Sequence, residues 1–302
     1  MIVVFASIIL DHVAVVPRLP GPGETVIGPS YQTFPGGKGA NQALAAARAG
    51  APVRVGGAVG MDAAADAALS LLAEGGVDLS GVRKVDMPTG AAFIGVDAKG
   101  QNQIIVTAGA NLKASAASLA HHDWDESDVL LLQCETPENE CLAIARAARA
   151  GGARVVLNAA PAGPVSPDLL DLLDFLIVNE HEAVVLSVSL DWDERDPDLI
   201  AARVDRDLGI ACIATLGGEG CIGWANGVRR SLPAPEVRVV DTVAAGDAFV
   251  GAFAASLHRG LGFSGALQRG IAAGSLTCTR PGAQPSLPGA EEIEALAARM
   301  MV

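Results

Sequence analysis

The sequence predicts an α/β fold: a mostly parallel sheet covered by helices on both faces, with a small second sheet drawn from the N-terminal third. Three observations lead there. From about residue 115, short apolar runs alternate with helical segments, the rhythm of parallel strands joined by crossover helices. Segments 12–34 and 91–107 break that rhythm with extended, turn-rich stretches, which suits a sheet projecting from the main body as a lid. Half of the 302 residues are hydrophobic and 18% are charged, enough for one large α/β domain or two smaller ones, and with no repeat or linker 1–302 reads as one.

The elements follow in order. Residues 2–9 are an apolar, β-rich run that meets Asp11 and His12 at once, a buried first strand with no basic leader before it. Residues 12–34 carry Pro20-Gly21-Pro22-Gly23 and the alternating Val13 and Val15, exposed strands with turns. A glycine-rich turn leads into an alanine-rich helix over 41–49, ended by Gly50, and 53–59 is a strand. Ala63–Glu74 is a helix closed by Gly75-Gly76, and 91–96 and 103–107 form a hairpin around Lys99-Gly100-Gln101-Asn102. Strands at Val129–Gln133, 155–158, Phe175–Asn179 and 210–216 alternate with helices at 137–150, 167–173 and 180–187. Asn226-Gly227 turns a hairpin between 221–224 and Val228–Leu232. A strand at 237–240 and helices at 247–259, 264–278 and 290–300 complete the chain.

Composition excludes several functions. A formal net charge of −13 argues against broad nucleic-acid or anionic-membrane binding, although backbone dipoles can still hold a local phosphate. No apolar stretch approaches the roughly 20 residues of a membrane span. Cys134, Cys141, Cys212, Cys221 and Cys278 are odd in number and irregular in spacing, as expected of reduced thiols in a cytoplasmic protein.

Chemistry concentrates in two motifs. In Asp241-Thr242-Val243-Ala244-Ala245-Gly246-Asp247, between an apolar strand and an amphipathic helix, the small side chains of Ala244, Ala245 and Gly246 let a ligand approach the backbone. Unpaired N–H groups at the helix start, with the positive end of its dipole, suit an anionic oxygen and a transferring phosphoryl group. Asp247 at that point can accept the proton of an attacking hydroxyl, although Asp at a helix start also serves as an N-cap. In Gly36-Gly37-Lys38-Gly39-Ala40-Asn41, paired glycines admit a polyhydroxyl ligand, and Lys38 and Asn41 add the donors and acceptor that sugar hydroxyls need. This is not a Walker A loop, because no Ser or Thr follows the lysine.

These two motifs, in this order, resemble the ribokinase branch of the PfkB carbohydrate kinases. The resemblance covers essentially the whole chain and includes Pro22-Gly23-Glu24-Thr25, Gly109-Ala110-Asn111, Gln133-Cys134-Glu135, Asn179-Glu180-His181-Glu182, Thr215-Leu216-Gly217-Gly218-Glu219-Gly220 and Arg280-Pro281-Gly282-Ala283-Gln284-Pro285-Ser286. It implies a three-layer α/β/α ribokinase-like fold with a lid, and an ATP-dependent phosphotransferase acting on ribose or a related pentose. It implies Asp247 as base, Ala244 to Gly246 as anion hole, and Asp11, Gly37, Lys38, Asn41 and Glu135 at the substrate. Asn179 and Glu182 would support the phosphates and Mg²⁺, and Thr215, Gly217 and Gly220 would line the nucleotide. Asp241, Ser286 and the carbonyls of Val243, Thr277, Arg280 and Gly282 would hold a monovalent cation such as K⁺, an all-oxygen set suited to a hard ion. A homodimer through the lid also follows from the resemblance, and would cover otherwise open strand edges.

One residue departs from the family pattern. Ile9 stands where ribokinases usually place a sugar-contacting Asn, and an unpaired buried sugar hydroxyl typically costs about 1–3 kcal/mol. A nucleoside kinase on the same fold is therefore an alternative to a pentose kinase; a catalytically silent sugar-binding homologue is a third reading, against which the intact base and anion hole count. Two G-x-G-x-x-G strings, from Gly218 and Gly260, lack the strand-then-helix context of a dinucleotide site. His121-His122 and the acidic run 191–198 read as solvated loops.

Overall fold

The computed structural model describes residues 1–300. Strand β1 (Ile2–Phe5) starts the main sheet, and β2 (Ile9–Val15) and β3 (Ser30–Gly36) belong to a second one. Then come α1 (Lys38–Arg48), β4 (Val53–Gly60), α2 (Ala63–Glu74), β5 (Asp78–Val85), β6 (Gly90–Val96) and β7 (Asn102–Thr107). The alternating half consists of β8 (Val129–Gln133), α3 (Glu138–Ala150), β9 (Arg154–Asn158), α4 (Pro167–Leu170), β10 (Phe175–Asn179), α5 (Glu180–Ser189), α6 (Pro197–Leu208) and β11 (Ala211–Thr215). The hairpin β12 (Cys221–Ala225) and β13 (Val228–Leu232) and helices α7 (Ala245–His258), α8 (Gly262–Thr277) and α9 (Ala290–Arg299) follow.

The main sheet has nine strands in the order β13-β12-β11-β10-β9-β8-β1-β4-β5. Pairing is parallel from β11 to β5 and antiparallel in the β11-β12-β13 edge. Side chains alternate between two cores, as the period of two demands. Ile2, Val4, Leu131, Val156, Ile177 and Ile213 join the core under α1, α2, α7, α8 and α9, whereas Val3, Phe5, Leu130, Leu132, Leu157 and Leu176 join the one under α3 to α6. This is the expected three-layer arrangement. The second sheet has four strands in the order β3-β2-β6-β7, with β2 and β6 parallel and the outer pairs antiparallel. Its strands come from the stretches expected to form the lid.

Sequence order reverses between β1 and β8: successive strands run toward β5 on one side and toward β11 on the other. Such a switch point opens a crevice at the carboxyl ends of parallel strands. Ser7 follows β1, Glu135 follows β8, and Asn158, Asn179 and Thr215 end β9, β10 and β11.

Several elements differ from expectation. The apolar run 2–9 is not one strand. It breaks at Ala6-Ser7-Ile8, where the chain leaves the main sheet for the second. The first helix starts at Lys38 rather than 41, so part of the glycine-rich segment is its first turn. Residues 237–240 are not a strand: Pro233 and Pro235 interrupt the ladder after β13, and Val239 and Val240 are exposed. Helix α4 is shorter than the expected 167–173. Strand β5 and helix α6 were not anticipated. Asp196 caps α6 and Pro197 occupies its first turn, so the acidic run ends in a helix start rather than remaining loop throughout. The His122 side chain is 6% exposed, not solvated: its Nε2 lies 2.8 Å from Asp128 Oδ2, and Arg54 Nη1 lies 3.1 Å from its Nδ1.

Candidate active site

Two helix N-termini define the site. Helix α7 begins after Ala244, a non-glycine residue in the left-handed region at φ 61. That conformation costs about 1–2 kcal/mol and persists only where surrounding structure imposes it. Here it turns the chain so that the first amides of α7 face outward. Ala245 N–H donates to Thr242 O at 3.3 Å, and Ala248 N–H closes the first helical bond onto Ala244 O at 2.8 Å. Between them, the Gly246 and Asp247 N–H groups have no backbone acceptor among the described residues. A Cβ on Gly246 would meet nothing within 4 Å, so this glycine faces open space.

Asp247 is the third helical residue, not the cap, and is 7% exposed. Asn41 Nδ2 donates to Oδ2 at 2.9 Å and Gln42 Nε2 donates to Oδ1 at 3.1 Å. Burial raises its pKa above the ordinary carboxylate range, while Lys38 and the two amide donors act in the opposite direction. It lines a cavity of about 240 Å³ together with Lys38, Asn158, Asn179, Glu182 and Thr215. That cavity shares Thr215, Thr242 and Gly246 with a larger one of about 450 Å³, bordered also by Gly217, Gly220, Val237 and Ser275. The residues expected around a nucleotide and around its phosphates therefore meet at Gly246.

Helix α1 enters from the switch point. Its first amides are satisfied from β1 and β8: Lys38 N–H donates to Glu135 Oε2 at 3.1 Å, Gly39 N–H to Ser7 Oγ at 3.1 Å and Ala40 N–H to Ser7 O at 3.0 Å. Ser7 Oγ in turn donates to Glu135 Oε2 at 2.6 Å. A side chain on Gly37, at φ 92, would sit 2.7 Å from Ser7 O, so the paired glycines admit the backbone as well as any ligand. Asp11 is half-buried beside Gly36, and burial together with Glu135 pushes its pKa up to about 6.

Asp11, Gly37, Asn41 and Glu135 thus gather around α1 but lie outside the walls of the two cavities. Asn179 and Glu182 cap α5 reciprocally, each backbone N–H donating 2.8 Å to the other's side chain. Burial raises Glu182, and Lys38 partly offsets it. In the proposed cation loop, Asp241 Oδ2 accepts from Gly282 N–H at 2.9 Å and its Oδ1 from Val243 N–H at 3.1 Å. Thr277 and Ser286 are fully buried nearby in sequence, and Arg280 pairs with Glu292. Sequence reasoning missed Ser7, Gln42, Gln133 and Asn158, which are polar residues with 0%, 0%, 2% and 8% exposure. Their signal was present: Gln42 directly follows the second motif and Gln133 and Asn158 end apolar strands.

A cavity at a sheet switch point, with free amides at a helix N-terminus and a buried carboxylate beside them, suits phosphoryl transfer to a hydroxyl. Residues 1–290 match the pfkB family carbohydrate kinase pattern. A ribokinase of Haemophilus influenzae is 39% identical over 293 residues, covering 96% of this chain and 95% of that protein. Among solved structures, a ribokinase from Thermotoga maritima superposes with a TM-score of 0.91 at 34% identity, covering 98% of this chain and 99% of that one. Arabidopsis thaliana ribokinase, complexed with ribose and ATP, gives 0.87 at 32% identity, with 98% of each chain covered. The chain belongs to the PfkB family of carbohydrate kinases.

Proposed function

We propose that this enzyme transfers the γ-phosphate of ATP to a hydroxyl of ribose or a closely related pentose. One observation carries the reading: Asp247 is buried yet lines a cavity that joins the larger one at Gly246, beside two unpaired amides. The adenine nucleotide occupies the larger cavity at Thr215, Gly217 and Gly220, with its phosphates directed to Gly246. The sugar lies against Asp11, Gly37, Lys38, Asn41 and Glu135. Asp247 takes the proton of the attacking hydroxyl, and the free amides of Gly246 and Asp247, at the Ala244–Gly246 anion hole, stabilise the charge on the migrating phosphoryl group.

Asn179 and Glu182 suit Mg²⁺ held through water, since both line the cavity and Glu182 is buried with an incompletely offset charge. When bound, that ion neutralises phosphate charge. Asp241, Ser286 and the carbonyls of Val243, Thr277, Arg280 and Gly282 form an oxygen set for K⁺, with Asp241 already tying the two loops together. The four-stranded sheet acts as the lid, and the exposed Tyr31, Phe93 and Ile105 on it support a homodimer through that face. Five free cysteines fit a cytoplasmic setting.

Ile9 qualifies the sugar. It is 4% exposed but belongs to neither core, while its neighbours Ile8 and Leu10 pack into the main one. Strand alternation puts Ile9 on the Asp11 face of β2. An apolar side chain there favours a substrate with one hydroxyl fewer or with a base attached. The test is ADP release with ribose, 2-deoxyribose, other aldoses and ketoses, adenosine and pseudouridine. Turnover of none of them refutes the reading. Asp247→Asn is expected to bind nucleotide and sugar yet lose about 10²–10⁴-fold in kcat, and a rate near that of the native enzyme refutes the base assignment.

A further inference from the structure

Behind Asp247 runs a chain of buried amides that the motif reading leaves unused. Gln133 Nε2 donates to Gln42 Oε1 at 2.8 Å. Gln42 Nε2 donates both to Asn158 Oδ1 at 3.0 Å and to Asp247 Oδ1 at 3.1 Å. Asn158 Nδ2 donates to the backbone carbonyl of Ile177 at 3.1 Å.

The direction of every bond follows from the far end. A carbonyl oxygen only accepts, so Asn158 must turn its NH₂ toward Ile177 and its oxygen toward Gln42. Gln42 must then present its NH₂ to Asn158, which places that same NH₂ against Asp247. Its oxygen is left for Gln133, which must donate. An ionised carboxylate also only accepts, so both ends demand the same orientation. The glycine motif makes the room: a Cβ on Gly39 would lie 2.6 Å from Gln133 Oε1.

We propose that Gln42, held in this orientation by Gln133 and Asn158, is a positioning residue that keeps Asp247 ionised and aimed at the incoming hydroxyl. This rests on Asp247 being the base. Burial, Glu135 and Glu182 favour the neutral acid, whereas Lys38, the Asn41 amide and the fixed Gln42 N–H donor favour the charged form. Losing the donor therefore raises the Asp247 pKa and moves the acid limb of the kcat profile to higher pH. Gln133 acts only through Gln42, because among the described residues it makes no bond to the carboxylate and its own Oε1 has no partner.

The test compares Gln42→Met and Gln133→Met, close in volume to the native side chains, by pH profiles of kcat and by thermal melting. Gln42→Met is expected to lose about tenfold or more in kcat at neutral pH, with its acid limb shifted up by about one unit and the KM for ATP within twofold. Gln133→Met is expected to shift the limb in the same direction by less. A lower kcat with an unmoved acid limb in both variants overturns the proposal, because simple loss of folded enzyme scales the rate without moving the profile. Should Gln42→Met fail to fold, Gln133→Met alone decides. An Asp247→Asn enzyme that retains full activity would instead remove the base reading beneath it.

Discussion

Gly251 links the packing of this enzyme to its chemistry. It lies one helical turn beyond Asp247, where α7 crosses α1. A Cβ at this position would stand 2.5 Å from Ala45 Cβ, 2.6 Å from Gln42 O and 2.8 Å from Ala46 N. Carbon atoms rest at about 3.5–4.0 Å, so Gly251→Ala forces the two helices apart by about 1 Å. Two of the three obstacles are backbone atoms that no rotamer change can move aside. Overpacking of this kind costs about 1–3 kcal/mol. The same displacement acts on the bonds from Asn41 and Gln42 on α1 to Asp247 on α7, now 2.9 and 3.1 Å, and stretches them toward or past the hydrogen-bond limit. A misplacement near 1 Å costs on the order of 10²-fold in rate. Urea unfolding and steady-state ADP release should therefore fall together. A stability change under about 0.5 kcal/mol at unchanged m, with kcat within twofold of native, would refute the argument.

Two further outcomes follow from the site. Asp11 has a folded pKa of about 6 against an ordinary 3.8, so its ionised form opposes folding fully above pH 6, and that opposition disappears as pH falls below 3.8. Asp11→Asn should raise the urea midpoint at pH 8 and not at pH 3.5 while raising the KM for the sugar; an equal gain at both pH values contradicts it. Arg48 Nη1 donates to Gln284 O and Leu287 O, both at 2.8 Å, tying α1 to the proposed cation loop. Arg48→Met should raise the K⁺ concentration needed for half-maximal activity, measured by titrating KCl at constant ionic strength, and an unchanged K⁺ response counts against the assignment of that loop.

The main architecture was legible because it rests on short-range patterns. Strands β8 to β11 are apolar runs bounded by turns, and α2 ends at paired glycines, so local signals agree with the fold. Strand β5 was invisible for a physical reason. Its sequence DLSGVRKV has little apolar character, and it is an edge strand held by pairing with β4. Residues 237–240 failed in the opposite sense: they are rich in valine, but strand propensity without a partner edge makes no strand, and they border a cavity instead. His122 was misread because it lies in a polar loop before a strand, whereas the buried Asp128 is its partner. At the site, Asp247, Lys38 and Asn41 were legible as motif residues. Gln42, Gln133 and Asn158 were visible only beside a motif or at strand ends; their bonds to one another, across 91 and 116 positions of sequence, were not.

The carboxylates of the candidate site explain how an acidic chain can receive an acidic nucleotide. Glu135 accepts from the first amide of α1, Glu182 caps α5, and Asp247 is held by Asn41 and Gln42, so each is engaged by N–H donors before any ligand arrives. Lys38 offsets both Glu182 and Asp247. The donors left over are the amides at the head of α7, where the left-handed Ala244 directs them into the space beside Gly246. Their attraction for an anion is short-ranged and set by direction, and the net charge of −13 is spread over a surface that counterions screen within about 10 Å. Local geometry therefore decides where phosphate can sit. This also explains why glycine and alanine, rather than lysine and arginine, make up the turn before Asp247: a longer side chain at Gly246 would occupy the space that the two cavities share.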